Sequence, residues 1–170
     1  GVRPCRRPEP LESEHLMGPT IDWVVLTTGD RDDDLVAALN SLATHLQPGE
    51  RVHLVLNGAG LTPPGPLRLE HAVADALHVI HAGENLGIPG GRNVGAAASE
   101  ADVVAFLDDD AVVRSDDMGR QLRDRFAADA RLGGVSFRIV DPNSGATAQR
   151  HVPRPGGAGL EREGEVTSFL

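Results

Sequence analysis

Three adjacent carboxylates, Asp108, Asp109 and Asp110, directly follow the apolar run Ala105-Phe106-Leu107. Like charges this close repel one another, and at the mouth of a buried strand they also lose solvation. A divalent cation relieves that repulsion, since Mg²⁺ and Mn²⁺ prefer oxygen ligands and share their coordination sphere with substrate phosphates. This aspartate triplet therefore predicts a metal and phosphate site, with a capped, solvated turn as the alternative.

A glycine-rich segment, residues 83–95, precedes the triplet and lies between a predicted strand and a predicted helix. Glycines that permit close backbone approach and unusual φ angles stand at Gly87, Gly90 and Gly91. Pro89 is suited to open the helix, which places Arg92 in its first turn, within reach of an anion or the triplet. The segment lacks the lysine of a P-loop and the spacing of a dinucleotide fingerprint, so a structural turn is the alternative.

The elements that must position these residues alternate between strand and helix. Apolar, β-branched runs predict strands, and apolar residues at helical spacing predict helices. The predicted strands are 21–26, 51–56, 77–81, 102–107 and 134–140, with a returning strand at 146–152 after a turn at 141–145. The predicted helices are 32–46, 67–76, 89–99 and 115–130.

This alternation is typical of an α/β fold with a mostly parallel sheet and helices on both faces. Ligands of such sheets bind beyond the carboxyl ends of the strands. The loops at which we expect a ligand are therefore 27–31, 57–60, 83–92 and 108–110.

Composition limits the function classes. The 170 residues carry a formal net charge of −9, which disfavours a nucleic-acid partner because the field repels phosphate backbones. No apolar run approaches the ~20 residues that span a bilayer, so we expect no transmembrane segment. A single cysteine, Cys5, excludes an internal disulfide and suits a reducing, cytoplasmic compartment.

Two other groups of polar residues have simpler interpretations. His78 and His81 lie three apart in a predicted strand, so they point to opposite faces and are interpreted as structural. The acidic residues around the start of the first helix are stabilised by its dipole, and Asp30 is also a candidate for nucleoside contact.

Four segments occur in a characteristic order: 24–28, 55–58, 84–95 and 104–110. In this order they resemble the family 2 glycosyltransferases, which have the GT-A fold, and the similarity covers about residues 21–140. The segment from Asn85-x-Gly87 to Gly91-Arg92-Asn93-x-Gly95 and the strand that ends in three aspartates are its most specific parts.

The resemblance implies metal-dependent transfer of a sugar from a nucleoside-diphosphate sugar to an unknown acceptor, with inversion. Mn²⁺ or Mg²⁺ would neutralise the leaving diphosphate. Asp110 and Asp108 are the implied metal ligands. The implied donor-binding residues are Thr27, Thr28, Asp30, Asn57, Asn85, Gly87, Gly91, Arg92, Asn93, Asp108 and Asp109.

The chain departs from the family pattern at several positions. The family usually has Pro-Thr-x-Asn after its first strand, where this chain has Thr27-Thr28-Gly29-Asp30. Leu56 and Asn57 stand where an acidic residue often pairs with uracil, so the donor base stays open.

The predicted domain organisation is a disordered tail over 1–20, a nucleotide-sugar-binding GT-A domain over 21–152, and a loop, a flexible tail or the start of an acceptor region over 153–170. A chain of this length resembles the donor-binding half of a truncated family member. The late carboxylates have no motif of a general base and are interpreted as solvated loop residues: Glu161, Glu163 and Glu165.

Two rival functions remain at this point. The first is a non-catalytic nucleotide-sugar-binding module or inactive fragment, favoured by the missing acceptor half. The second is a nucleotidyltransferase, but that class commonly has a Gly-rich, Lys/Arg-bearing loop after its first strand, and residues 27–31 are too short and acidic for it. A lipid acceptor would place a cytoplasmic transferase at the membrane periphery.

Overall fold

The structure of the protein is a computed structural model that describes residues 18–141 and 143–147. Cys5, most of the predicted amino-terminal tail, residues 148–152 of the predicted returning strand and the three late glutamates lie outside these residues. The chain divides into two compact units, 1–131 and 132–170, which are described separately.

The first unit alternates strands and helices as predicted. Its strands are β1 (Ile21–Thr27), β2 (Val52–Leu56), β3 (Leu77–His81) and β4 (Val103–Asp108). Its α-helices are α1 (Asp32–Asn40), α2 (His71–Ala76), α3 (Gly87–Ala97) and α4 (Met118–Ala128), with a 3-10 turn at Pro66–Arg68. Among the described residues, no helix is long and apolar enough to cross a membrane.

The four strands form one parallel sheet in the order β3-β2-β1-β4. β1 and β2 are central and buried because their residues are almost all apolar and β-branched or leucine. Thr20, at the end of the predicted amino-terminal tail, joins the edge strand by hydrogen bonds with Asp102. The predicted α/β class with a mostly parallel sheet is confirmed.

Both faces of this sheet are covered. On one face, α3 lies so close to β1 and β2 that a Cβ atom on Gly95 would stand 2.4 Å from Val24 Cγ1 and 3.1 Å from Val55 Cγ2. On the other face, the Trp23 and His45 rings lie 6.3 Å apart. The core therefore lies on both sides of β1, and α3 approaches it through its small residues.

α1 ends at Asn40 rather than at the predicted residue 46. The Ser41 hydroxyl donates to the carbonyl of Ala38, a local bond that competes with the helical ladder. The Asn40 side chain is used in tertiary contacts, donating to the Arg68 carbonyl and accepting from the Glu70 amide. These side-chain bonds end the helix although the leucine spacing continues beyond it.

A buried ion pair joins α4 to the start of the sheet. Arg123 Nη2 donates to Glu50 Oε2 at 2.5 Å and to the His45 carbonyl at 3.0 Å. The same carboxylate accepts the backbone amides of Ile21 and Gln47, each at 2.8 Å. The Glu50 side chain is fully buried, so its charge depends on the bonds from Arg123 Nη2, Ile21 and Gln47 and on the Nε contact of Arg123.

In the second unit, the predicted strand at 134–140 is wrong. Its residues alternate in exposure in part, but the described residues of this unit contain no strand. A period-two pattern becomes a strand only when a neighbouring strand accepts and donates its backbone hydrogen bonds. The predicted turn after it does form: Asp141 accepts the amides of Asn143 and Ser144, and Gly145 has a φ of 67°.

Candidate functional site

The carboxyl ends of the four strands meet at one edge of the sheet, called here the carboxyl edge. Thr27 pairs with Leu56, Leu56 pairs with His81, and Leu26 pairs with Asp108. The loops that follow each strand therefore start side by side. This edge brings together the loop after β1, the loop after β2, the glycine-rich segment and the aspartate triplet.

Asn57, buried at the end of β2, ties the glycine-rich segment to the sheet. Its Oδ1 accepts the amide of Leu86 at 2.9 Å, and its Nδ2 donates to Asn85 Oδ1 at 3.2 Å and to the Gly87 carbonyl at 3.4 Å. Asn85 Oδ1 also accepts the amide of Gly87 at 2.9 Å. These bonds fix the turn that leads into α3.

Gly87 and Gly91 are required in this segment for different reasons. Gly87 has a φ of 70°, a conformation that side chains disfavour. A Cβ atom on Gly91 would lie 2.3 Å from Leu26 Cδ1 and 3.3 Å from Asn57 Cγ. The absence of a side chain at Gly91 therefore lets α3 pack closely on the sheet. Arg92 is the next residue, and Asn93 is exposed on the helix.

Arg92 lies in the first half of α3 and reaches the aspartate triplet, as predicted. Its Nη2 donates to Asp108 Oδ1 at 2.6 Å, and its guanidinium carbon stands 5.5 Å from the centre of the Phe106 ring. Phe106 and Asp108 are two apart on β4 and so share a face. The ring thus supports the guanidinium beside the carboxylate.

The other two aspartates face a second arginine. Arg31 Nη1 donates to Asp110 Oδ2 at 2.6 Å and lies 3.7 Å from Asp109 Oδ1. Asp109 is the least exposed of the three, at 14%, against 59% for Asp108 and 53% for Asp110. Two arginines therefore neutralise part of the charge of three carboxylates at the carboxyl edge.

The loop after β1 turns sharply beside this group. Thr27 is buried and its hydroxyl accepts the amide of Gly29, which has a φ of 79°. The Thr28 hydroxyl donates to Asp30 Oδ1 at 2.7 Å, and this bond holds the pKa of Asp30 below its ordinary value. The loop is thereby ordered and carries an ionised carboxylate.

The chemistry of the triplet fits a divalent cation. Its donors are hard carboxylate oxygens, and those of Asp108 and Asp110 are more than half exposed. Within the described residues, no group of three or more histidine, cysteine or acidic side chains is arranged to hold a metal by itself. Carboxylate oxygens are the ligands that Mg²⁺ and Mn²⁺ prefer, and these ions are typically held by one or two carboxylates together with substrate phosphates and water.

A buried polar network at the opposite, amino edge of the sheet was not predicted from the sequence. Asp22 Oδ2 accepts from Ser99 at 2.7 Å and lies 3.0 Å from His53 Nε2, while His53 Nδ1 is 3.0 Å from His78 Nδ1. Burial alone raises the pKa of Asp22, but bonds from His53, Ser99 and the Arg51 amide outweigh it and lower that pKa.

The signal for this network was the presence of an aspartate and a histidine inside two otherwise apolar strands. Since such residues are rarely buried without partners, the two strands must place them together. For His78, the structural interpretation of the sequence agrees with its position in this network.

In open α/β sheets, ligands bind beyond the carboxyl ends of the strands, and in this chain that edge presents three carboxylates and two arginines. The family model described as glycosyl transferase family 2 matches residues 23–164. The chain therefore belongs to glycosyl transferase family 2, and the resemblance read from its motifs is confirmed.

One similar solved structure is the crystal structure of S. aureus TarS 1-349. It is 23% identical, with a TM-score of 0.45, over 64% of this chain and 31% of that chain. The protein thus spans less than a third of the TarS chain. Among curated proteins, none matches this chain in sequence.

Proposed function

We propose that residues 21–152 form the donor-binding domain of a metal-dependent, inverting glycosyltransferase of the hexosyltransferase type. The observation that carries the proposal is the convergence, in a chain of family 2, of the aspartate triplet, Arg31 and Arg92 at the carboxyl edge. A nucleoside diphosphate carries two or more negative charges. Two arginines beside a metal-binding carboxylate cluster complement those charges.

Each loop has a distinct part in this proposal. The ordered loop from Thr27 to Asp30 borders the nucleoside, and Asn57 supports the opposite wall from beneath by fixing Asn85 and Gly87. Asp109 faces ribose or sugar. In α3, Arg92 and Asn93 bring a cation and an amide toward the diphosphate.

Asp110 and Asp108 would hold the divalent cation. When bound, Mg²⁺ or Mn²⁺ supplies Lewis-acid neutralisation of the charge that develops on the leaving diphosphate. Arg92 adds a fixed positive charge that needs no reorganisation during the reaction. An acceptor hydroxyl attacks the anomeric carbon from the opposite side, and its proton passes to a base that is not among these donor-site residues.

The proposal is tested by calorimetric titration of the protein with UDP, GDP and dTDP, each with Mn²⁺ and with a chelator. We expect one of the three to bind in the presence of Mn²⁺ and at least tenfold more weakly without it, because the cation bridges the diphosphate and the triplet. Absence of metal-dependent binding to all three would overturn both the transferase and the nucleotide-sugar-binding alternative.

A further inference from the structure

Arg31 interacts with the carboxylates proposed as metal ligands, although it belongs to a different loop. Its Nη1 lies 2.6 Å from Asp110 Oδ2 and 3.7 Å from Asp109 Oδ1, across 79 residues of sequence. A guanidinium and a divalent cation compete for the same oxygens because both are positively charged and both need the carboxylate lone pairs.

The backbone around Arg31 holds this side chain at the carboxyl edge. Arg31 is the residue before α1, and its carbonyl accepts the amide of Leu35 at 2.9 Å, as the first bond of the helix. The preceding turn is fixed by the positive φ of Gly29 and the bond from Thr28 to Asp30. The side chain itself is 46% exposed, so the guanidinium can leave Asp110 without leaving a cavity.

The charges at this edge favour such a movement when ligand arrives. The three aspartates of the triplet and the two arginines leave one net negative charge, and the ionised Asp30 lies in the neighbouring loop. A divalent cation at the triplet repels Arg31, whereas a diphosphate brings new acceptors for a guanidinium. The Arg92 guanidinium also contacts the Phe106 ring, and this second contact helps to hold it in place.

We propose that Arg31 is an internal counter-cation that occupies Asp110 in the nucleotide-free protein and transfers to the diphosphate when the metal and the nucleotide bind. This inference rests on the proposed function. It makes binding of metal and nucleotide mutually dependent: the metal alone must displace Arg31, while the metal with a diphosphate gives Arg31 a new partner.

The test is Arg31→Gln, measured with two probes: Mn²⁺ alone, by the electron paramagnetic resonance signal of free Mn²⁺, and the nucleoside diphosphate that binds wild type, by calorimetry at saturating Mn²⁺. We expect Mn²⁺ alone to bind about five- to tenfold more tightly, since a competing charge is removed. The nucleotide should bind about tenfold more weakly because its diphosphate loses a charge-assisted partner.

Arg68→Gln is the matched control. Arg68 is 43% exposed and pairs with Asp33 on α1 rather than with an aspartate of the triplet, so both affinities should stay at their wild-type values. Arg31→Lys keeps the charge and should restore most of the wild-type Mn²⁺ affinity. If wild type shows metal-dependent nucleotide binding and Arg31→Gln changes neither affinity, the inference is wrong and the proposed function stands. Loss of all such binding in wild type would overturn both.

Discussion

Replacing Arg123 by methionine is expected to lower the free energy of unfolding by about 3–5 kcal/mol. Arg123 and Glu50 form an ion pair whose side chains are 7% and 0% exposed. Methionine fills a similar volume but leaves the Glu50 carboxylate buried with only the amides of Ile21 and Gln47. Urea denaturation at neutral pH measures the loss, which is a large share of the ~5–15 kcal/mol typical of a domain.

Arg120→Met on the same helix is the matched control. Arg120 is 66% exposed and pairs with Asp117 and Asp124 across helical turns. Exposed pairs of this kind contribute about 0–1 kcal/mol, so the variant should unfold close to wild type. If Arg123→Met and Arg120→Met were equally mild, the buried pair would not be what fixes α4 to the sheet.

The second large effect concerns the metal ligand. We expect Asp110→Asn to weaken Mn²⁺-dependent nucleoside diphosphate binding about 10- to 100-fold, because asparagine keeps the shape but removes the charge that holds a cation. The residual affinity should equal the wild-type value measured with a chelator. Calorimetry with the nucleotide that binds wild type gives both values.

Asp124→Asn is the control for this substitution. Asp124 is 66% exposed and paired with Arg120, as Asp110 is 53% exposed and paired with Arg31. The control should bind nucleotide as wild type does, with the same dependence on Mn²⁺. Undiminished, metal-dependent binding by Asp110→Asn would remove Asp110 from the ligand set and leave Asp108 as the remaining predicted ligand.

The four strands of the sheet could be predicted because each is a short apolar run bounded by turn residues, and their predicted limits differ from the structure by at most one residue at either end. The segment at 134–140 has the same local pattern and is not a strand. The difference is nonlocal, since pairing depends on which segments come to lie side by side and not on the segment itself.

The contacts of the candidate site could likewise be predicted only in part. The pairing of Arg92 with the triplet could be predicted because only 16 residues, which include the rest of α3 and the strand β4, separate Arg92 from Asp108. The pairing of Arg31 with Asp110 could not, because it depends on the order of strands in the sheet. The packing role of Gly91 could not be predicted either, because sequence alone does not distinguish a glycine that allows a ligand to approach from one that allows a strand to approach.

The most direct test of the central claim, that metal and diphosphate bind at the carboxyl edge, is paramagnetic broadening of backbone amide signals by Mn²⁺. At 17.9 kDa the protein suits such NMR measurements. With the bound nucleotide present, we expect the signals of residues 28–31, 85–92 and 108–111 to disappear. Those at the amino edge, such as Glu50 and Ala101, lie about 20 Å away along the strands and should persist. Broadening centred on the amino edge, or none that depends on the nucleotide, would contradict the account.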